Sequence, residues 1–207
     1  MFKRAVYLAV FLLISVSAQA QINVYMGGNL QGNYSWIRGD EQTMEPGFGG
    51  GFSVVYWEYE YWFLKAGISY INKTSTIRDY AEDYGVIPEN PDDKINIPFR
   101  EQAIGLPLTI YFRPYEWDAN TILITGTLEA MLAMSLKETS EEYGEIVLKG
   151  SDLHTRTKTN LGIGIGYQRQ LEKHMFLNII PSFNIDLRSD KAYNSITLTA
   201  ELIFGVY

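Results

Sequence analysis

From Ile22 the chain alternates: Ile22, Val24, Met26, Gly28, Leu30, Gly32, Tyr34 and Trp36 share one phase, and Asn23, Tyr25, Gly27, Asn29, Gln31, Asn33 and Ser35 share the other. Successive strand side chains point to opposite faces, so this period of two predicts a long strand with one apolar and one hydrogen-bonding face. The pattern recurs. Phe52, Val54 and Tyr56 lie opposite Ser53 and Val55; a tight turn over 57–60 then reverses the chain. In the third strand Trp62, Leu64, Ala66, Ile68 and Tyr70 carry the apolar face, and Phe63, Lys65, Gly67 and Ser69 the other. The fourth sets Ile104, Leu106, Leu108, Ile110 and Phe112 against Glu101, Ala103, Gly105, Thr109 and Tyr111. The fifth sets Ile122, Ile124, Leu128, Ala130, Leu132 and Met134 against Thr125, Thr127, Glu129, Ser135 and Lys137. Three more follow, with Lys158 and Asn160, Asn178, Asp186 and Arg188, and Thr197 and Glu201 in their polar phases.

Eight such strands predict an all-β chain, and three features predict that it is inside out, apolar outside and polar within. The apolar bands run to about ten residues, the length a tilted membrane strand needs rather than the five or six of a globular one. Aromatic residues gather at band ends, at Tyr56, Trp57, Tyr61, Trp62, Tyr70, Tyr111, Phe112 and Tyr167, where amphipathic rings favour a membrane interface. The connections alternate, long over 38–46, 74–96 and 138–155, shorter at 57–60, 114–120 and 171–174, with a moderate one at 189–194. That alternation is the habit of an eight-stranded, antiparallel, up-and-down transmembrane β-barrel. Such a barrel is wide enough only for side chains or one small ligand. Lys65, Glu101, Glu129, Lys158, Asp186, Arg188 and Glu201 fall in the inward phase, where isolated charge is prohibitive, so they are expected to form a structural polar network. Pro107 and Pro181 lie within strands of a barrel without free edges, and a bulge is expected at each. The glycines of "GFGGGF" (47–52) and "GIGIG" (162–166) permit close approach or strong coiling.

Composition adds where the chain goes. "MFKRAVYLAVFLLISVSAQA" has Lys3 and Arg4, a ten-residue apolar run and Ala18-Gln-Ala20, the layout of a cleaved secretory signal peptide over 1–20 that leaves a single barrel domain over 21–207. Loss of Lys3 and Arg4 takes the formal charge from −7 to −9, which with no basic cluster argues against nucleic acid. With no cysteine, neither a disulfide nor a lipidated anchor is available. Tyr207 supplies the terminal aromatic residue common in outer-membrane barrels, although the apolar phase ends one residue earlier at Val206.

Two segments carry a family likeness. "EQAIGLPLTIYFRP" (101–114) and "GIGIGYQRQLEKHMFLNIIPSFNIDL" (162–187) resemble a middle strand and the penultimate hairpin of PorT-like outer-membrane β-barrel proteins of Bacteroidetes-type bacteria. The resemblance implies an eight-stranded barrel in the outer membrane, inserted by the barrel assembly machinery and without enzymatic activity. Some relatives assist protein secretion, but no residue here carries that role.

Chemistry is sparse. A barrel enzyme acting on lipid needs a Ser and a His in reach of each other; His154 stands near Ser151 and Asp152 and is read as a solvated histidine, and His174 sits in a short turn with no obvious Ser or Asp partner. Asp79, Glu82, Asp83, Glu89, Asp92 and Asp93 form an acidic loop without the fixed spacing of a calcium loop. "NYS" and "NKT" match the glycosylation triplet, and "GIGIG" has the wrong spacing for a dinucleotide site. No catalytic residue, metal or cofactor is assigned. The expected role is structural or surface-interactive, with outer-membrane lipid, lipopolysaccharide and an unidentified extracellular or envelope protein as partners. A lipid-modifying enzyme, a narrow channel and a soluble lipocalin-like carrier are the alternatives.

Overall fold

The computed structural model describes residues 24–37, 42–57, 60–80, 94–140, 144–145, 157–187 and 193–205. These form β1 (Val24–Ile37), β2 (Gln42–Tyr56), β3 (Trp62–Tyr80), β4 (Lys94–Trp117), β5 (Asn120–Ser140), the two-residue β6 (Gly144–Glu145), β7 (Thr157–Glu172), β8 (Met175–Asp186) and β9 (Tyr193–Gly205). Neighbours pair in the order β4-β3-β2-β1-β9-β8-β7-β5, and β4 also pairs with β5, so eight antiparallel strands close on themselves. Among the described residues the small β6 pairs with the tip of β5. Closure leaves no edge, the condition for a sheet in hydrocarbon.

The alternation maps onto the wall as the inside-out reading requires. Leu30 is 75% exposed and Phe52 76%, whereas Glu201 and Val55 are at 0%. The outer belt continues through Ile68, Leu106, Leu108, Ile163, Ile165 and Leu198, all exposed. A soluble carrier would bury these residues, so their placement outside removes the lipocalin-like alternative. Two aromatic girdles flank the belt. Tyr61, Phe112, Tyr115, Trp117 and Tyr167 lie exposed towards the short turns, and Tyr34, Phe48 and Phe183 towards the other end. Tyr111 and Trp57 do not belong to them: Tyr111 is buried in the lumen and Trp57 packs on the interior cluster.

Strands run further than the pattern predicts. β2 begins at Gln42, β3 reaches Tyr80, β4 begins at Lys94 and β5 ends at Ser140, so much of the loops placed at 38–46, 74–96 and 138–155 is ladder. Cross-strand hydrogen bonding continues there without help from an apolar face, which is why periodicity missed it. The short turns tighten to 118–119 between β4 and β5 and 173–174 between β7 and β8. Asp118 holds the positive φ of 49° that the first of these requires, a conformation its short polar side chain tolerates.

The bulges expected at Pro107 and Pro181 are absent. β3 and β4 keep register from Ala66↔Leu108 to Ser69↔Gly105, and β8 and β9 pair straight through Pro181↔Leu198. Each proline costs a local gap in one ladder, between Ala66 and Ser69 on β3 and between Gly164 and Tyr167 on β7, and the closed wall holds register across it. Register shifts fall instead around Pro46 (between Met44 and Phe48) and around Pro114 (between Phe112 and Tyr115), near strand ends where an extra residue is cheaper to absorb. A third shift lies between Gln170 and Glu172, and a fourth, between Gln102 and Ala103, leaves Met134 unpaired and sets Ser135 across from Gln102 and Lys137 across from Arg100. One residue of slip changes the cross-strand partner of every position beyond it.

The glycine run of β2 has a local cause. A Cβ on Gly49 would lie 2.5 Å from Gln31 Nε2 and 2.6 Å from the Tyr70 carbonyl oxygen, so the missing side chain makes room for Gln31 to lie across the inner wall.

Candidate functional site

The functional question lies in the lumen, which is filled in layers. At the short-turn end Tyr25, Val55, Phe63, Leu123, Phe176 and Ile203 form an apolar floor against which Trp57 packs. Phe63 stacks between Trp57, at 4.6 Å between ring centroids, and Tyr111, at 4.3 Å. Arg113 caps the stack with its guanidinium carbon 4.7 Å from the Trp57 ring, a cation–π arrangement. The inward phase of β1, β3, β4 and β8 therefore changes from polar to aromatic at this end.

Above the floor Glu201 is the hub. Its Oε1 accepts from Lys65 Nζ at 2.8 Å, and its Oε2 accepts from the Tyr111 hydroxyl and from Asn178 Nδ2, both at 3.0 Å. Asn178 in turn accepts from Gln168 Nε2 at 2.9 Å. Five residues from β3, β4, β7, β8 and β9 thus tie opposite walls together, which only closure of the barrel makes possible. Lys65 and Glu201 have side-chain exposures of 8% and 0%; at such depth a carboxylate is tolerable only with several donors aimed at it.

The middle layer is hydroxyl-rich. Ser69 donates to Glu129 at 2.9 Å, Thr109 and Thr127 share a bond at 3.0 Å, and Asn184 donates to Thr197 at 3.0 Å. Gly105 faces Glu129, whose carboxylate occupies the space a Cβ would take. Higher still, Lys158 pairs with Glu101, both buried. Lys73 stands directly across from Glu101, is 4% exposed, and has Glu101, Glu129, Lys158 and Asp186 as its charged neighbours. A cavity of about 90 Å³ opens among Asn29, Asn33, Ser69, Lys73, Glu129 and Asn184, enough for several waters. The layer solvates and counter-charges the buried polar side chains.

The residues expected in the interior thus fall into separate groups. Lys65 meets Glu201, and Lys158 meets Glu101. Glu129 bonds a serine, Asp186 is buried near Lys73, and Arg188 lies outside the described residues. Lys73 is not among the residues expected inside; extending the phase of Lys65 through Gly67, Ser69 and Ile71 reaches it. His174 sits in the β7–β8 turn, 6.4 Å from Tyr25 between ring centroids, and its carbonyl accepts from Gly205 N. His154, Ser151 and Asp152 lie outside the described residues, as do residues 1–20, Tyr207 and the acidic positions Glu82, Asp83, Glu89, Asp92 and Asp93; Asp79 is the last of that set still on β3.

Residues 6–204 match the family described as outer membrane protein beta-barrel domain. Among solved structures the chain is similar to Neisserial surface protein A, at 14% identity and a TM-score of 0.53 over 88% of this chain and 97% of that one. Ail of Yersinia pestis, solved with the heparin analogue sucrose octasulfate, is similar at 16% identity and a TM-score of 0.49 over 88% and 99%. The N-terminal β-barrel domain of Pseudomonas aeruginosa OprF follows at 12% identity and a TM-score of 0.42 over 89% and 100%. At 14% identity the likeness to Neisserial surface protein A is one of fold. No curated protein matches the chain. With nearly its whole length matched, the chain belongs to the outer membrane protein β-barrel family.

Proposed function

We propose that this outer membrane β-barrel is a non-conducting, non-enzymatic protein that occupies the outer membrane of a Gram-negative bacterium and presents its long connections, 81–93 and 141–156, to the outside. One observation carries the reading: an apolar outer belt surrounds a lumen plugged at its short-turn end by the stack of Arg113, Trp57, Phe63 and Tyr111. Short turns belong on the periplasmic side of such barrels, so the plug faces the periplasm and the polar cavity faces outward. Residues 1–20 act in this reading as the cleaved export signal, and the barrel assembly machinery inserts the remainder. The PorT-like likeness of 101–114 and 162–187 supports placing the chain in that narrower group. The outer loops are the surface for an extracellular or envelope protein. A narrow channel is the weaker reading, because it needs a continuous aqueous path through the aromatic floor.

Two measurements test this together. Gel mobility of the outer-membrane fraction, with and without boiling in SDS, should show a band that shifts only on heating. The same preparation in planar bilayers should give no single-channel current. Recovery in the soluble periplasm without a heat shift defeats the membrane reading, and steady ohmic conductance defeats the plug.

A further inference from the structure

The polar side chains around the lumen cavity sort by charge onto facing walls. On β3 the inward row runs through Lys65, Ser69 and Lys73, and all three line the cavity. Glu201 meets Lys65, whereas Lys73, also buried, makes no hydrogen bond or ion pair among the described residues. On the far side the lining is oxygen. Glu129, Asn160 and Asp186 stand in direct register on β5, β7 and β8. One inward step nearer the floor Asn184 stands across from Gly162, whose missing Cβ leaves space for the Asn184 Oδ1. Asn160 turns its amide nitrogen to Met131 Sδ and keeps Oδ1 buried without a partner. Glu129 accepts from Ser69 through one oxygen and makes no ion pair among the described residues. Asn184 directs its nitrogen to Thr197. Four steps round the eight-stranded wall, through β2, β1 and β9, separate β3 from β8. The ammonium row and the oxygen patch therefore look at each other across a cavity that Lys73, Glu129, Asn160 and Asn184 all line.

Buried polar groups left unpaired are costly, and here an ammonium, an amide oxygen and a carboxylate oxygen lack partners round one space. A simple anion drawn to Lys73 meets Glu129, one of that lysine's charged neighbours, and a metal cation drawn to the oxygens meets Lys73. A molecule that carries both charges close together is attracted at each end and repelled at neither. The cavity of about 90 Å³ has room for roughly six to nine water-sized groups, the bulk of a small amino acid. We infer that the lumen binds a small zwitterion of the α-amino acid class, its carboxylate on Lys73 and its ammonium on Glu129 and the amide oxygens of Asn160 and Asn184. Charge-assisted hydrogen bonds at both ends supply the recognition. The aromatic floor closes one end of the lumen, so the ligand enters from the long-loop side. The inference adds an interior site to the surface role proposed above and needs only the closed barrel.

The test titrates L-alanine near neutral pH into the full barrel, refolded in an uncharged maltoside detergent, and reads binding by calorimetry. Acetate and ethylamine are the parallel probes, each carrying one of the two charges. Wild type should bind L-alanine saturably and at least about tenfold more tightly than either single-charge probe, as expected when a hydrogen-bonded charge is removed. Lys73→Met and Glu129→Gln should each weaken L-alanine by about tenfold or more. Gly28→Ala, on the outer wall with nothing within 4 Å of the added Cβ, should leave it unchanged. The comparison of probes on wild type decides even where a lumen variant fails to refold. Absence of saturable L-alanine binding to a heat-modifiable wild type leaves the cavity to water and overturns the site. Equal affinity for acetate assigns the site to Lys73 alone, equal affinity for ethylamine assigns it to the oxygen patch alone, and either result overturns the zwitterion. Undiminished binding to folded Lys73→Met or Glu129→Gln places the ligand elsewhere and does the same.

Discussion

Glu201 offers the sharpest test of how the lumen is held. Glu201→Gln keeps size and shape but removes the charge that Lys65 meets at 2.8 Å, and it turns one of the two acceptor oxygens into a donor facing Lys65, Tyr111 or Asn178. Breaking a buried ion pair from one side costs about 3–5 kcal/mol because the partner stays charged and unpaired. The orphaned hydroxyl or amide donor adds about 1–3 kcal/mol, partly recovered if a side chain turns towards the cavity above. The expected loss is therefore about 4 kcal/mol or more, a large share of the stability of any domain. Lys65→Met should cost a comparable amount. The double variant Lys65→Met/Glu201→Gln should recover much of it, since an apolar side chain beside a neutral amide leaves no stranded charge. Urea unfolding of barrels refolded into lipid vesicles, followed by tryptophan fluorescence and by the heat-dependent gel shift, measures all four proteins of the cycle. A Glu201→Gln variant within about 0.5 kcal/mol of the parent, the size of a neutral surface change, would refute the reasoning.

The outer and inner walls should respond oppositely to small changes. Leu30→Arg, at the most exposed part of the belt, should cost about 2–4 kcal/mol in a bilayer; an effect near zero in the same vesicle assay would mean that Leu30 does not face hydrocarbon. Gly28→Ala should be neutral because nothing lies within 4 Å of the added Cβ, whereas Gly49→Ala should destabilise by about 1–3 kcal/mol by striking Gln31 and the Tyr70 carbonyl. Equal stabilities of the two alanine variants would show that the β2 wall relaxes freely. Phe63→Ala, which empties the middle of the aromatic floor, should lose about 3–5 kcal/mol in the unfolding assay, and an unchanged midpoint would show that the stack does not hold the floor.

Period-two alternation, band length and girdle aromatics were enough to specify strand number, closure and which face meets lipid, because a membrane constrains every residue of a strand by one local rule: apolar out, backbone bonded to a neighbour. Lys65, Glu101, Lys158 and Glu201 were recognisable as interior residues by the same rule. Their partners were not, since Lys65 and Glu201 are 136 residues apart and meet only once β9 pairs with β1 and the wall closes. Alternation also could not reveal that Tyr111, Phe63 and Phe176 converge into a plug, because an aromatic residue in the inward phase reads alike whether it is isolated or stacked. Pairing across strands determined the rest: it prolonged β3, β4 and β5 beyond the apolar pattern, absorbed Pro107 and Pro181 without bulges, and let one unpaired residue, Met134, reset the register of β5 against β4. Local chemistry fixes which face a residue prefers, while register, a property of two strands together, decides what it meets there.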